Sequence, residues 1–155
     1  MRWEARRTIH EQRLVHRSVH VVVFDSRGRL LVQRRHRDKQ TYPLHWDTSC
    51  AGHVEEGDYL GGPDDDLDRV YEQVAARELH EELGIAVPLR RLARLPPEPG
   101  VHYEQVHLFA CTSDGPFTLQ AEEVEDIRLV GKGEVPEPMT HMLRWLIGWL
   151  PTWPC

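Results

Sequence analysis

The sequence predicts a single domain of the α+β class, and three observations support that prediction. The chain has 155 residues, of which 40% are apolar and 28% charged, which is ordinary for one globular domain with a real core. Short β-branched and apolar runs bounded by turn residues predict several strands. Two longer stretches with apolar residues at helical spacing predict one helix mid-chain and one near the end. We therefore treat residues 1–155 as one domain without internal repeats.

The first third of the chain is predicted to be rich in strands. Its clearest element is the run Ser-Val-His-Val-Val-Val-Phe, whose β-branched residues indicate a buried strand. The Asp-Ser-Arg-Gly sequence that follows is typical of a turn. The predicted elements are, in order, an N-terminal arm or strand over 1–17, a strand over 18–24, a turn over 25–28, a returning strand over 29–35, a polar loop over 36–45 and a short strand over 46–54.

The central helix is predicted to begin at Asp66 or Leu67 and to end at Leu83. Asp66 is a suitable N-cap, and an acidic residue in the first turn, Asp68, favours the helix dipole. Val74, Ala75, Leu79 and Leu83 give an inner face. Gly84 suits the left-handed residue that ends many helices.

The rest of the chain is predicted to return to the sheet and then to form a second helix. We expect strands over 85–95, 103–112 and 125–130, with a proline-rich break over 96–100. Apolar residues then recur at helical spacing over 136–150, with Pro136 and Pro138 marking the helix start.

Charge and cysteine content limit the function classes. The net charge of −6 argues against a nucleic-acid polymer or an anionic membrane as partner. No apolar run is long enough to span a membrane, and the N-terminus lacks a signal-peptide core. The three cysteines are typical of reduced thiols. We therefore expect a cytoplasmic protein that acts on a small molecule, with a homodimer left open.

The most informative stretch is residues 77–85, Arg-Glu-Leu-His-Glu-Glu-Leu-Gly-Ile. On a helix, Glu78 and Glu82 lie on one face and Glu81 flanks them. Carboxylates this close repel one another, and a hard divalent cation that prefers oxygen ligands would relieve the repulsion. Arg77 can hold one carboxylate in a bidentate fork. A solvated, glutamate-rich helix face is the alternative.

This stretch, preceded by Gly-His-Val-Glu-Glu-Gly-Asp over 52–58, resembles the Nudix box of the Nudix hydrolase superfamily. The resemblance implies an α/β/α sandwich with a central mixed sheet and a Mg²⁺- or Mn²⁺-dependent enzyme that cleaves a diphosphate linkage. It implies metal ligation by Glu78, Glu81, Glu82 and the Ala51 carbonyl. It further implies catalytic roles for Arg77, Glu81 and Glu82.

The spacing within this box departs from the family pattern. Asp58 stands where the family has a glutamate, and it is much farther from Arg77 than the pattern allows. We interpret residues 59–68 as an insertion within the box. The insertion leaves open whether Asp58 keeps the supporting role that this position has in the family.

A second resemblance, to isopentenyl-diphosphate isomerase of the same superfamily, narrows the substrate class. Three segments carry it: Leu-Val-His-Arg-Ser-Val-His over 14–20, Arg-Arg-His-Arg-Asp-Lys over 34–39, and Pro-Leu-His-Trp-Asp-Thr-Ser-Cys-Ala-Gly-His over 43–53. It implies that Arg35 and Lys39 contact a diphosphate, and we expect His53 to contact substrate too. The isomerase's metal-binding positions match His16, His53 and Glu104, whereas His10 is out of register and His102 replaces a glutamate. We expect Glu104 to be catalytic.

Two departures argue against isomerase activity. Ala51 stands where the isomerase has an acid/base cysteine, and Glu78 stands where it has an arginine. We therefore predict a Mg²⁺-dependent hydrolase acting on a nucleoside diphosphate derivative or a small organic, isoprenoid-type diphosphate. An isomerase and a non-catalytic nucleotide-sensing module remain the alternatives.

Several residues have more than one interpretation. Tyr42, Trp46 and Tyr103 could stack on a base, cover an isoprenoid chain or pack in the core. Cys50 is either a nucleophile or a small buried hydrophobe. The glutamates of 122–125 are either an extra catalytic carboxylate or a solvated turn.

Overall fold

The computed structural model describes residues 4, 5, 8, 15–59, 66–100 and 102–150. Within these residues the chain forms seven strands and two α-helices, with one 3₁₀ turn over Glu56–Asp58. We number them along the chain: β1 His16–Phe24, β2 Leu30–Arg35, β3 Trp46–Asp47, β4 Cys50–His53, α1 Leu67–Leu83, β5 Arg90–Leu95, β6 Glu104–Thr112, β7 Val124–Val130 and α2 His141–Trp149.

The strands form one mixed sheet with β1 near its centre. The main strand order is β3-β2-β1-β6-β5, while β4 also pairs with β1 and β7 also pairs with β2. β1 and β6 run parallel over nine residue pairs, from His16 opposite Glu104 to Phe24 opposite Thr112. The other strand pairs are antiparallel. A parallel pair needs a long crossover, which here contains α1.

Alternation along β1 divides the core into two layers. Val19, Val21 and Val23 pack in a cluster with the inner face of α1. Val22 and Phe24 point to the opposite face and pack in a second cluster that includes Leu143 and Leu146 of α2. Since successive side chains of a strand point to opposite faces, a helix covers each face of the sheet. This arrangement confirms the predicted α+β sandwich with a central mixed sheet.

The central helix forms where it was predicted. The Asp66 carboxylate caps its first turn by accepting a hydrogen bond from Asp68 N at 3.1 Å. Gly84 ends the helix with a φ of 70°. The segment after β6 then satisfies two carbonyl groups of the last turn: Thr118 N donates to Leu83 O at 2.9 Å, and Gln120 N donates to Glu82 O at 3.1 Å.

The predicted strand over 46–54 is wrong as a single element. It divides into β3 and β4, because side chains between the two strands replace the backbone ladder. Thr48 N donates to Asp47 Oδ1 at 2.8 Å. Val23 N of the neighbouring strand donates to Ser49 Oγ at 2.7 Å.

Two predicted boundaries are also wrong. The strand predicted from residue 85 begins at Arg90, and Pro88, which has no N–H for a ladder, lies just before it. The C-terminal helix begins at His141, after the Thr140 N-cap, and not at the prolines. The segment before it is held against β3 instead: Trp46 N donates to Pro138 O, and Thr140 N donates to Trp46 O, both at 2.9 Å.

Some predicted features fall partly or wholly outside the described residues. Residues 16 and 17 of the predicted arm belong to β1, and residues 67 and 68 of the predicted insertion belong to α1. Residues 60–65 of that insertion and His10 lie outside the described residues. No helix in the part of the chain that the structure describes is long and apolar enough to cross a membrane.

Candidate active site

The C-terminal half of α1 contributes three carboxylates to a cavity of about 1660 Å³. Glu78, Glu81 and Glu82 all line it, as the helical spacing predicted. Their environments differ: Glu81 is exposed, whereas Glu82 is only 6% exposed. Glu81 is therefore a solvated carboxylate, whereas Glu82 has lost most of its contact with water.

Glu82 is held by a buried amide from the sheet. Gln33 of β2 donates from its Nε2 to Glu82 Oε2 at 3.0 Å and to the carbonyl oxygen of Ser49 at 2.8 Å. Burial and the neighbouring Glu78 raise the pKa of Glu82 from 4.5 to about 7, against the opposing effects of Gln33, Lys39 and the backbone of Ala51. A buried carboxylate that resists ionisation is one that a cation would stabilise.

Arg77 braces the next carboxylate of the helix. Its Nη2 donates to Glu78 Oε1 at 3.0 Å, and its Nη1 contacts Asp58 Oδ1. Burial raises the pKa of Glu78, although Arg77 opposes that shift. A methyl group on Gly52 would overlap the Glu78 side chain, so a glycine lets β4 approach this carboxylate closely. Because Arg77 contacts both acids, Asp58 supports the Glu78 side chain through Arg77.

Ala51 lies on β4 beside these carboxylates. It pairs with His20 of β1, and its backbone hydrogen-bonds Glu82. Both Ala51 and Gly52 line the cavity. The role of the Ala51 carbonyl as a metal ligand stays a prediction.

A second cluster of potential ligands lines the same cavity. Glu104 Oε1 lies 3.2 Å from His16 Nε2 and 3.3 Å from His53 Nε2, and the two histidine rings stack with centroids 4.9 Å apart. Of the histidine, cysteine and acidic side chains that the structure describes, these are the one trio whose potential ligand atoms all lie within 4.8 Å of each other.

Strand register explains why these residues meet. His16 lies opposite Glu104 in the parallel pair β1–β6, and Ser18, two residues along β1, lies opposite His53 of β4. His102 does not join the trio; its ring accepts a hydrogen bond from Glu104 N at 3.3 Å.

The electrostatics of this second cluster keep Glu104 ionised. Burial alone would raise the pKa of Glu104, but hydrogen bonds from His16, His20 and His53 hold it well below its usual range. Burial alone would lower the pKa of His20, but the neighbouring Glu104 and Asp47 outweigh burial, so the pKa of His20 is raised. His20 Nδ1 is also hydrogen-bonded to Thr48 Oγ1 at 2.8 Å.

The two predicted phosphate-binding cations lie at the cavity and are braced by acidic groups. Arg35 donates from Nη1 to Asp47 Oδ2 at 3.2 Å and from Nε to Thr41 O at 3.1 Å. Lys39 Nζ contacts Glu123 Oε2. Contact of either cation with a substrate stays a prediction.

Three residues that organise the site were not predicted from the sequence: Gln33, His20 and Asp47. Gln33 offered the best signal, because it is a polar residue in the strand sequence Leu-Leu-Val-Gln. Asp47 gave no local signal, since its partners Arg35 and Thr140 come from distant segments.

Two ambiguous residues proved to be parts of the core. Cys50 is fully buried, and burial raises the pKa of its thiol well above the ordinary value, which supports the buried-hydrophobe interpretation. Trp46 is 5% exposed, with the Arg128 guanidinium 4.9 Å from its ring centroid.

Comparisons with known proteins identify the family of this chain. The NUDIX domain family model matches residues 14–146. An uncharacterized Nudix hydrolase of Yersinia pestis is 36% identical over 137 residues, covering 88% of this chain and 67% of that protein. Isopentenyl-diphosphate Delta-isomerase 2 of Photorhabdus laumondii is 31% identical over 127 residues, covering 79% and 66%. The chain spans about two thirds of the length of these curated relatives.

The fold also matches solved structures. The crystal structure of DR0079 from Deinococcus radiodurans superposes with a TM-score of 0.73 at 20% identity, covering 88% of this chain and 83% of that one. At this identity the match describes the fold alone.

Proposed function

We propose that this chain, which belongs to the Nudix hydrolase family, is a divalent-metal-dependent hydrolase that cleaves a diphosphate linkage in a nucleoside diphosphate derivative or a small organic diphosphate. The observation that carries the proposal is the buried Glu82 beside Glu78 on one face of α1, both lining the cavity. Such a pair is costly for the fold unless a cation or a proton neutralises it.

The donor set fits a hard divalent cation such as Mg²⁺ or Mn²⁺. Glu78, Glu81 and Glu82 would hold it through carboxylate oxygens, with the Ala51 carbonyl as a further oxygen ligand. When bound, the cation neutralises phosphate oxygens and makes a coordinated water more acidic.

The chain's own residues then have separate tasks. Arg77 and Asp58 fix the Glu78 side chain, and Gln33 orients Glu82. Glu81, the exposed member of the set, is our candidate for taking the proton of the attacking water, because it is not committed to a buried hydrogen-bond network. Glu104 is proposed to act in the same cavity, where it contacts His16 and His53 and fixes their rings.

Arg35, Lys39 and His53 are proposed to bind the diphosphate. All three line the cavity that Glu82 faces. Arginine and lysine are the side chains best suited to phosphate oxygens, and both are held at this wall by acidic partners. The net charge of −6 and the sparse cysteines support a small-molecule substrate and a cytoplasmic setting.

The proposal is tested with a panel of nucleoside diphosphate derivatives and isoprenoid diphosphates in Mg²⁺ or Mn²⁺. We expect release of phosphate or a monophosphate from at least one of them, and a loss of about 100-fold or more in kcat for Glu82→Gln. Glu72→Gln, on an exposed position of the same helix, is the matched control and should retain activity. Absence of turnover on the whole panel would refute the proposal.

An isomerase of the isopentenyl-diphosphate type is the second candidate. The cluster of His16, His53 and Glu104 favours it, as does the 31% identity to an isopentenyl-diphosphate isomerase. Ala51 and Glu78 argue against it. Deuterium incorporation into isopentenyl diphosphate without phosphate release would favour the isomerase over the hydrolase.

A further inference from the structure

We infer that Tyr42, His141 and Trp145 form a subsite that binds a planar heteroaromatic ring, such as a nucleobase, on the group attached to the diphosphate. This inference deepens the proposed function and rests on it, since it selects nucleoside-type over alkyl-type substrates. All three residues line the cavity that contains the α1 carboxylates.

Tyr42 is held in an unusual conformation that leaves its ring accessible. Its side chain is 37% exposed, and it is one of four large hydrophobic residues exposed in the described part of the chain. Its φ is 50°, and that of Leu44 is 58°. Non-glycine residues adopt such angles only where surrounding contacts impose them, and these positions cluster at binding sites.

Those surrounding contacts come from a predicted phosphate-binding residue. Arg35 donates from Nε to Thr41 O at 3.1 Å, and its own carbonyl accepts from Leu44 N at 3.1 Å. The residue that would contact the diphosphate thus also fixes the backbone on both sides of Tyr42.

A buried aspartate joins this loop to α2. Asp47 Oδ2 accepts from Arg35 at 3.2 Å, while Asp47 Oδ1 accepts from the Thr140 hydroxyl at 2.9 Å. Thr140 is the N-cap of α2, so the next residue, His141, is placed beside Tyr42. Their rings meet edge to face with centroids 5.7 Å apart.

Tyr42 and His141 form one aromatic wall of the cavity, and Trp145 extends this wall by one helical turn. It follows His141 by four residues, so the two lie on one face of α2, while Leu143 and Leu146 occupy the buried face. Trp145 is 36% exposed and stacks on Trp149 with centroids 5.4 Å apart. The wall therefore offers aromatic rings that are fixed by packing before a ligand binds.

The composition of this wall favours a heteroaromatic ring over an alkyl chain. A base can stack on tyrosine, histidine or tryptophan and keep hydrogen bonds at its polar edges. An alkyl chain would cover the ring nitrogens of the exposed His141 without replacing their bonds to water, which carries a cost.

Calorimetry with non-hydrolysable ligands in Mg²⁺ tests the inference independently of turnover. The ligands are the α,β-methylene analogues of ADP, GDP, CDP and UDP, ring-free methylenediphosphonate, and an isopentenyl methylenediphosphonate. We expect at least one nucleoside analogue to bind more tightly than methylenediphosphonate. Tyr42→Leu should raise the Kd of that analogue about tenfold, because base stacking contributes roughly this much. The Kd of methylenediphosphonate should not change, and Tyr42→Phe, which keeps the ring, should match the wild type.

Four results would overturn the inference: no preference of the wild type for any nucleoside analogue, no effect of Tyr42→Leu, equal weakening of the ring-free ligand, or a larger loss for the isopentenyl ligand. Absence of hydrolysis on every diphosphate would refute the proposed function instead. It would leave a Tyr42-dependent preference for bases intact, so the two failures are distinguishable.

Discussion

Gln33 shows how much of the site depends on a single side chain. It is 5% exposed, and its amide joins the Ser49 carbonyl to the Glu82 carboxylate. Under the proposed function Glu82 binds the metal, and a residue that holds it in place influences metal affinity and rate, because a carboxylate free to rotate offers its oxygens less often in the binding geometry.

We predict that Gln33→Met weakens divalent metal binding and lowers kcat, each by about tenfold, since methionine keeps the volume but cannot donate. Gln73→Met, on an exposed position of α1, is the matched control. Mn²⁺ affinity is measured by titration and kcat on the best substrate of the panel. A folded Gln33→Met protein with wild-type metal affinity and kcat would contradict the positioning role.

For single residues of the site, the sequence was sufficient to predict local neighbours but not partners from distant segments. The helical spacing of Glu78 and Glu82 was sufficient to put both on one cavity wall, because that spacing is local. His20 and Asp47 could not be found in this way. Their roles depend on β1 meeting β6 and on β3 meeting α2, and sequence spacing does not encode such contacts.

Among the elements, α1 is the one whose ends are best defined. Asp66 caps its start, and Gly84 ends it in a left-handed conformation. A Cβ built on Gly84 would lie 2.9 Å from Thr118 Cβ and 3.2 Å from Thr118 N and O. The same junction positions Glu82, whose carbonyl accepts from Gln120 N.

We predict that Gly84→Ala destabilises the protein by about 1–3 kcal/mol, because alanine is strained at this φ and meets Thr118. Gly148→Ala is the matched control: Gly148 lies within α2, its φ is not positive, and nothing lies within 4 Å of its added Cβ. There alanine should be neutral or stabilising by up to about 1 kcal/mol. Chemical denaturation measures both variants; equal stabilities would contradict the account of Gly84.

Element prediction succeeded where the signal was local and failed where tertiary contacts override it. The β-branched run of β1 and the capped α1 were predicted nearly to the residue. The start of α2 was not, because residues 138–140 are bound to β3 and leave the helix to begin at His141. The break between β3 and β4 depends on the side chains of Asp47 and Ser49, which accept hydrogen bonds from backbone N–H groups in competition with the ladder.

At the scale of the whole molecule, the sandwich buries an acidic side chain, Glu82, between the sheet and α1. The sheet presents Ala51 and Gln33 to the C-terminal half of α1, and Glu82 is enclosed between them. The stability of the entire fold is therefore linked to the proton on Glu82, since folding raises the pKa of this group from 4.5 to about 7.

The sign of this linkage gives a prediction for metal-free protein. Between pH 4.5 and 7 the folded state holds a proton on Glu82 that the unfolded state has lost, so this group's contribution to stability falls as pH rises through that window. Above pH 7 the full penalty is present, on the order of 3 kcal/mol. Glu82→Gln removes the penalty. In a chelator at pH 8 its Tm should therefore exceed that of the wild type by several degrees, and the difference should shrink towards pH 4.5.

Divalent metal should make the wild type more stable than Glu82→Gln, the reverse of the order expected without metal. A cation bound to the ionised Glu82 stabilises the folded wild type by mass action, and Glu82→Gln lacks the charge that would hold it. Mg²⁺ or Mn²⁺ should thus raise the Tm of the wild type and of the Glu72→Gln control more than that of Glu82→Gln. If Glu82→Gln were no more stable than the wild type at pH 8 without metal, the buried carboxylate would have another source of neutralisation, and the case for a cation at Glu82 would lose its physical basis.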